Sequence, residues 1–416
     1  MSFEFATATR IIFGEGSVQQ VAPAAKQWGS RALLATGPVP ERADQLRLDL
    51  QAGRAQCFTF TVEGEPTVDL IARGLERARE RQCDVVVAMG GGSVIDAGKA
   101  IAALLTNPGD VMDYLEVVGK GNALQNPAAP FIAVPTTAGT GAEVTRNAVL
   151  GVPGQGVAPG FSPAPADAGL KPGVTIAATT AATKGVKVSL RSPFLLPRLA
   201  VVDPELTYGL PPAVTARTGL DALTQLIEAY VSIRSNPVTD GFCVRGIPLA
   251  ARSLRRAFHH GHEPEARRDM SLAALLSGMA LANAGLGVVH GFAAPLGGRF
   301  HAPHGAICAA ILPYGIEINL RALRSRDPQS MALRRYQEVG RMLTGWPGAT
   351  AEDGIAWTRE ICQELEIPPL KAYGIGEQDV SELIVEAARA SSMKANPLVL
   401  EPEELSEVLT RSIAGQ

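Results

Sequence analysis

In the first half of the chain, short apolar runs alternate with stretches whose apolar positions recur at helical spacing. Ile11-Ile12-Phe13, Ala32 to Ala35, Phe58 to Val62, Asp84 to Met89, Phe131 to Val134 and Leu199 to Val202 are short, bounded and apolar, as strands are. After Asp84, the run Val85-Val86-Val87-Ala88-Met89 is apolar at every position, which predicts a parallel strand buried on both faces. Helical stretches lie between: Ser17 to Trp28, a helix opening at Thr67-Val68-Asp69 with Leu70, Ile71, Leu75 and Ala78 on one face, and Val94 to Leu105. Strands separated by helices predict a mostly parallel, Rossmann-like α/β sheet covered on both faces. From Asp203-Pro204 onward the strand pattern stops. Helical periods fill Ala213 to Val231, Pro237 to Phe258, Glu265 to Val289, Ile307 to Leu320, Met331 to Leu343, Thr350 to Leu365, Glu377 to Ala388 and Pro402 to Ile413, with Pro and Gly separating many of them. The expected organisation is an α/β domain over 1–203 followed by an all-α domain over 204–416. Within the first, Gly151 to Gly185 is dominated by Gly, Ala, Pro and Thr and lies between the β-like runs Ala148–Leu150 and Val186–Val188. It predicts a hairpin carrying a long flexible insertion at its tip.

Composition narrows the function classes. A chain of 416 residues, 46% hydrophobic and 19% charged, has material for a sizeable core and the balance of an ordinary soluble protein. A net charge of −3 supplies no electrostatic attraction to nucleic acid or to an anionic membrane. The five cysteines, Cys57, Cys83, Cys243, Cys308 and Cys362, form no CxxC pair and are expected to be buried thiols in a reducing compartment. The opening MSFEFATATR has no signal pattern, and Gly278 to Val289 is too short for a membrane span, so a cytoplasmic protein with small-molecule partners is expected.

Two strand ends carry candidate chemistry. Met89 is followed by Gly90-Gly91-Gly92-Ser93 and then a helix. Glycines let backbone approach a phosphate closely, and a helix start offers unpaired N–H groups and a favourable dipole. Gly91, Gly92 and Ser93 are therefore candidate pyrophosphate contacts, although the spacing matches neither the GxGxxG nor the P-loop pattern. Ser93 with Asp96 resembles a helix cap, which gives Asp96 a structural reading. After Phe131–Val134 comes Pro135-Thr136-Thr137-Ala138-Gly139-Thr140-Gly141, whose Thr136, Thr137 and Thr140 hydroxyls could bond phosphate or ribose. Two such loops argue jointly for one extended nucleotide.

The helical half supplies a candidate metal site. Asp221 lies in Thr218-Gly219-Leu220-Asp221-Ala222-Leu223-Thr224-Gln225, and His290 and His304 lie in segments punctuated by Gly and Pro. One carboxylate and two imidazoles suit Fe(2+) or Zn(2+), and three protein ligands leave positions open for a substrate oxygen. Asp221 and Gln225, four apart, share a helix face.

The segments GGGSVIDAGK, PTTAGTGAEVT, LPRLAVVDPELTYGLPP, TGLDALTQLIEAYVS and HGFAAPLGGRFHAPHG run in one order from the first strands to Gly305. In this the chain resembles the iron-containing (group III) alcohol dehydrogenase family, whose dehydroquinate synthase-like fold joins a nucleotide-binding α/β domain to a helical metal-binding domain. The resemblance implies an NAD(P)-dependent oxidoreductase that transfers a hydride between an alcohol and the cofactor. It puts Gly91, Gly92 and Ser93 at the pyrophosphate, Thr136, Thr137 and Thr140 along phosphate and ribose, and Lys187 at the nicotinamide ribose. It puts Asp221, His290 and His304 at metal-ligand positions and His301 near the pocket, where proton transfer to solvent and a structural imidazole are both open. Gln225 stands where the family usually has a second-ligand histidine, and Ala294 replaces another. Metal identity is therefore open, and a metal-free, maleylacetate-type reductase of an oxo or unsaturated acid is the alternative. Two further classes remain: a cyclising lyase, for which no basic cluster is visible near Asp221 or His290, and a nucleotide-binding protein that has lost its chemistry. Thr36-Gly37-Pro38, after the second strand, lacks the acidic residue that would favour NAD, and Arg42 is near, so NAD and NADP both stay open. The apolar faces of the helical half predict a homo-oligomer, a dimer or larger.

Overall fold

The computed structural model describes residues 2–53, 55–152, 185–300 and 302–415. The strands are β1 (Ile11–Phe13), β2 (Arg31–Thr36), β3 (Gln56–Thr61), β4 (Val85–Gly90), β5 (Phe131–Pro135), β6 (Asn147–Val152), β7 (Val186–Arg191) and β8 (Leu199–Val202). Six form one sheet in the order β1-β8-β5-β4-β2-β3, with every pairing parallel. The β-branched runs go to the centre: β4 and β5 are buried at every position. Helices α1 (Val21–Trp28) and α2 (Asp44–Ala52) pack on the face that presents Leu34, Val87 and Ile132. Helices α3 (Val68–Glu80) and α4 (Gly92–Thr106) cover Leu33, Val86 and Ala133 on the other. The period-2 pleat makes this division, since successive side chains leave a strand on opposite faces. The apolar pattern does not reveal α2, because only Leu46 and Leu50 of its nine residues are buried.

Strand order reverses between β2 and β4, with the helices following them on opposite faces. That leaves a crevice beyond their carboxyl ends, where open α/β sheets bind ligands. Thr36 and Gly90 end these strands, and the buried Thr36 Oγ1 there has no hydrogen-bond partner among the described residues.

β6 and β7 pair antiparallel with Leu150 opposite Val188, so the expected hairpin arms are present. The insertion at the tip falls, over 153–184, outside the described residues. Lys99 staples this hairpin to α4. Its ammonium is fully buried and lies 2.9 Å from each of Thr145 O, Thr145 Oγ1 and Asn147 O, which satisfies all three donors. Asp96, 3.9 Å from Lys99, accepts from the Val149 N–H at 3.0 Å. The helix starts at Gly92 with Gly91 as its cap residue, so the expected Ser93–Asp96 capping pair does not form: Ser93 is already inside the first turn, and Asp96 reaches across to β6. Burial pushes Asp96 up to about 6 and Glu143 up to about 7, and it brings Lys99 down to about 8.

Past β8 the described chain is helical: α5 (Pro212–Val231), α6 (Pro237–His259), α7 (Pro264–Ala284), α8 (Val288–Arg299), α9 (His304–Arg326), α10 (Met331–Thr344), α11 (Ala351–Glu364), α12 (Val380–Arg389) and α13 (Pro402–Ala414). One expectation fails. The helix predicted from Glu265 to Val289 is two helices, α7 and α8, meeting at 98°. Gly285 makes the corner with φ +73°, and the apolar run is continuous only because both helices are buried. Helix α9 is long and apolar enough to cross a membrane, but 89% of its apolar window is buried among the other helices.

Glu143 yields a pH test. Its folded value, about 7, lies above the ordinary carboxyl value of 4.5, so the folded state holds the proton more tightly than the unfolded chain. The stability this contributes is present below pH 4.5 and lost as pH rises to about 7. Glu143→Gln should remove that decline. The gap between variant and parent in urea-unfolding free energy should widen across the window, to at most about 3 kcal/mol, and stay level above it.

Candidate metal centre

Three helices bring the donor atoms together. Asp221 lies mid-way along α5, His290 in the first turn of α8, and His304 is the first residue of α9. The corner at Gly285–Gly287 turns the chain so that His290 faces α5 instead of continuing along α7. Pro303 caps α9 and places His304 beside Asp221. His290 Nε2 is 3.3 Å and His304 Nε2 3.7 Å from Asp221 Oδ1. Cys308, one turn beyond His304 on α9, puts its Sγ 3.7 Å from both imidazole Nε2 atoms. The four donor atoms all lie within 4.8 Å of one another. Asp221, His290 and Cys308 are buried, while the His304 side chain keeps 39% of its surface exposed and opens the cluster on one side.

A carboxylate behind the cluster orients it. Glu228 Oε2 lies 2.6 Å from His290 Nδ1, and Oε1 accepts from the Val289 N–H at 2.7 Å. This contact fixes the ring and leaves Nε2 toward the other donors, as ligating histidines require. Two carboxylates, Asp221 and Glu228, face the imidazoles. Burial alone would raise the Asp221 carboxyl, but His304, His290 and Cys308 outweigh it and hold it below its ordinary value. Burial alone would lower His290, but Cys308, Asp221 and Glu228 outweigh it and hold the imidazole well above its ordinary value. His304 is raised in the same way by Cys308 and Asp221. Such a pocket favours a cation, and a hard oxygen with two imidazoles fits a divalent first-row metal.

The structure brings Asp221, His290 and His304 together, as the sequence places them at one site. His301 lies outside the described residues. The amide of Gln225 is held by Ser277 Oγ at 2.7 Å. Ala294 is exposed, so nothing there replaces the missing imidazole. Glu228 and Cys308 escaped the sequence reading, although Glu228 is two turns after Asp221 and Cys308 one turn after His304, spacings that share a helix face. Cys83, Cys243 and Cys308 are buried thiols as expected, Cys57 and Cys362 are half-buried, and Cys308 in addition lies in the donor cluster.

The two strand-end loops sit against each other, and the second sits against the helix that carries Asp221. A Cβ on Gly92 would come within 2.8 Å of the Thr140 side chain, and one on Gly91 within 3.6 Å of Thr137. The second loop then meets the helices: a Cβ on Gly139 would lie 2.7 Å from Thr218, one turn before Asp221. Gly141, at φ +62°, rests against the backbone of Gly278 on α7. As at any helix start, the N–H groups of Gly92 and Ser93 have no intrahelical acceptor. Lys187 is inside strand β7 and pairs with Glu65 at 3.0 Å, with its ammonium end beside Gly297 of α8.

A parallel α/β sheet with a crevice at its switch point, joined to helices that gather four possible metal-ligand atoms, describes a two-part protein with a candidate divalent-metal site. Comparison with known proteins is specific. Residues 8–165 match the model of iron-containing alcohol dehydrogenase, and residues 215–413 match that of the Fe-containing alcohol dehydrogenase family, C-terminal. The chain belongs to the iron-containing alcohol dehydrogenase family. Alcohol dehydrogenase 4 of Schizosaccharomyces pombe is 34% identical over 403 residues, covering 95% of this chain and 86% of the relative. The 1,3-propanediol dehydrogenase of Klebsiella pneumoniae is 34% identical, covering 92% of each. The crystal structure of a 1,3-propanediol oxidoreductase matches with a TM-score of 0.85 at 31% identity, over 99% of this chain and 100% of that one.

Glu228→Gln keeps an oxygen for the Val289 N–H but loses the charge behind His290. Divalent-metal affinity should fall about 10- to 100-fold. Competition against a chromophoric chelator measures the loss, and an unchanged circular-dichroism spectrum shows that the fold persists.

Proposed function

We propose that the chain interconverts a small alcohol and its carbonyl compound with NAD or NADP, at a site where Asp221, His290 and His304 hold Fe(2+) or Zn(2+). The observation that carries this reading is the contact of the Gly139 loop with Thr218, because it joins the phosphate-type loops to the donor cluster. When bound, the metal acts as a Lewis acid toward the alcohol or carbonyl oxygen and the nicotinamide exchanges the hydride. Gly91, Gly92 and Ser93 hold the pyrophosphate with the first-turn N–H groups of α4. Thr136, Thr137 and Thr140 bond phosphate and ribose, with the unpartnered Thr36 hydroxyl at the neighbouring strand end in support. Lys187 exchanges Glu65 for the nicotinamide ribose, and His301 passes the alcohol proton toward solvent. Glu228 keeps His290 in one tautomer throughout. The buried α5, α8 and α9 restrict water at the reacting oxygen. Division into a nucleotide-binding domain over 1–203 and a helical metal-binding domain over 204–416 belongs to the same proposal, and it is supported by the change from parallel strands to helices after Val202. Nothing observed favours the metal-free reduction of an oxo or unsaturated acid.

The test is a panel of alcohols and aldehydes, with NAD and with NADP, before and after chelation. Turnover of at least one alcohol should fall on chelation and return with added Fe(II) or Zn(II). Asp221→Asn and His304→Ala should each lower kcat about a hundredfold or more, since the Lewis-acid contribution is worth several kcal/mol. Chelator-resistant turnover confined to an oxo acid would overturn the reading.

A further inference from the structure

The ligand set above contains a gap and a surplus. Gln225 occupies the α5 position at which the second imidazole is expected, and Ser277 already engages its amide. On the opposite wall, fully buried Cys308 brings a sulfur to the same cluster from α9. The separations allow this sulfur to be a ligand. Zinc bonds of about 2.3 Å to sulfur and about 2.0–2.1 Å to nitrogen or oxygen, at the tetrahedral angle, place S···N at about 3.6 Å and N···O at about 3.4 Å. The two S···N separations are both 3.7 Å, and the two N···O separations are 3.3 and 3.7 Å. Four of the six edges are thus within about 0.3 Å of a coordination tetrahedron, and the other two lie within 4.8 Å.

We propose that Cys308 is a thiolate ligand that takes the place of the missing imidazole, giving an Asp221/His290/His304/Cys308 site. The inference rests on the reading that the cluster holds a divalent metal. It assigns the fourth ligand to α9 instead of α5, so His304 and Cys308, four residues apart on one helix, form a chelating pair. A thiolate is softer than imidazole or amide and tilts the site from Fe(II) toward Zn(II). The coordinating thiol is deprotonated, so its proton leaves to solvent as the metal enters. Four protein ligands would leave room for a substrate oxygen only by expansion to five, which zinc tolerates. The side of entry is the one left open by His304, the most exposed donor.

Cobalt(II) is the probe, because sulfur-to-cobalt charge transfer gives a near-ultraviolet band that nitrogen and oxygen ligands do not. The full chain, freed of metal and titrated with Co(II), should bind one equivalent with that band. Cys308→Ser, or Cys308→Ala should serine fail to fold, should bind with the visible ligand-field bands but without the charge-transfer band. Its Zn(II) affinity should drop by at least the 10- to 100-fold typical of losing an outer-shell partner. One equivalent of Co(II) without the band in the parent chain, or equal Zn(II) affinity in the variant, would overturn the thiolate ligand and leave the metal reading standing. Absence of Co(II) and Zn(II) binding in the parent chain would overturn both. The parent spectrum decides the matter without any variant.

Discussion

The site depends on how closely one loop of the sheet approaches the helices. Backbone at Gly139 and Gly141 lies against Thr218 on α5 and Gly278 on α7, at separations a side chain would fill. That closeness brings the carboxyl end of a parallel sheet beside the helix that carries Asp221. The Lys99 anchor works to the same end from behind. It holds Thr145 and Asn147, and so fixes the segment that leaves the Thr-rich loop. A lysine buried to this extent is tolerated because all its protons are accepted and Asp96 is near.

A second constraint operates within the helices. Four groups that would be costly to bury singly, Asp221, Glu228, His290 and Cys308, are buried together. Each compensates another: Glu228 accepts from His290 and from a backbone N–H at the start of α8, and Asp221 faces both imidazoles. The helix starts matter here, because α8 and α9 begin within a residue or two of the histidines they carry. A side chain in the first turn is held by the helix yet lies beside the loop that redirects the chain.

Much of this was legible in the sequence. The β-branched runs announce β4 and β5, and the loss of alternation after Val202 marks the change to helices. Asp221, His290 and His304 stood out because acids and imidazoles are scarce in apolar, glycine-punctuated stretches. The features missed share a physical cause. The corner between α7 and α8 is invisible because an apolar run does not show whether one buried helix or two produce it. Ser93 was assigned a capping role because Ser-x-x-Asp has the capping spacing, whereas the three glycines start the helix earlier. Cys308 was passed over because a thiol without a partner in sequence looks inert, and only the fold brings it beside two imidazoles. Glu228 was hidden inside an apolar helix where a charge has no sequence-level explanation.

The 98° corner has a consequence for how the molecule tolerates change in length. Helical phase restarts at Gly287, so the azimuth of His290 around its own axis is set from the start of α8. A single residue added between Val288 and His290 would instead rotate the imidazole by about 100° around the α8 axis and turn it away from Asp221. The bend thus works as a phase break, and the register that matters for the imidazole is the two residues between the corner and His290.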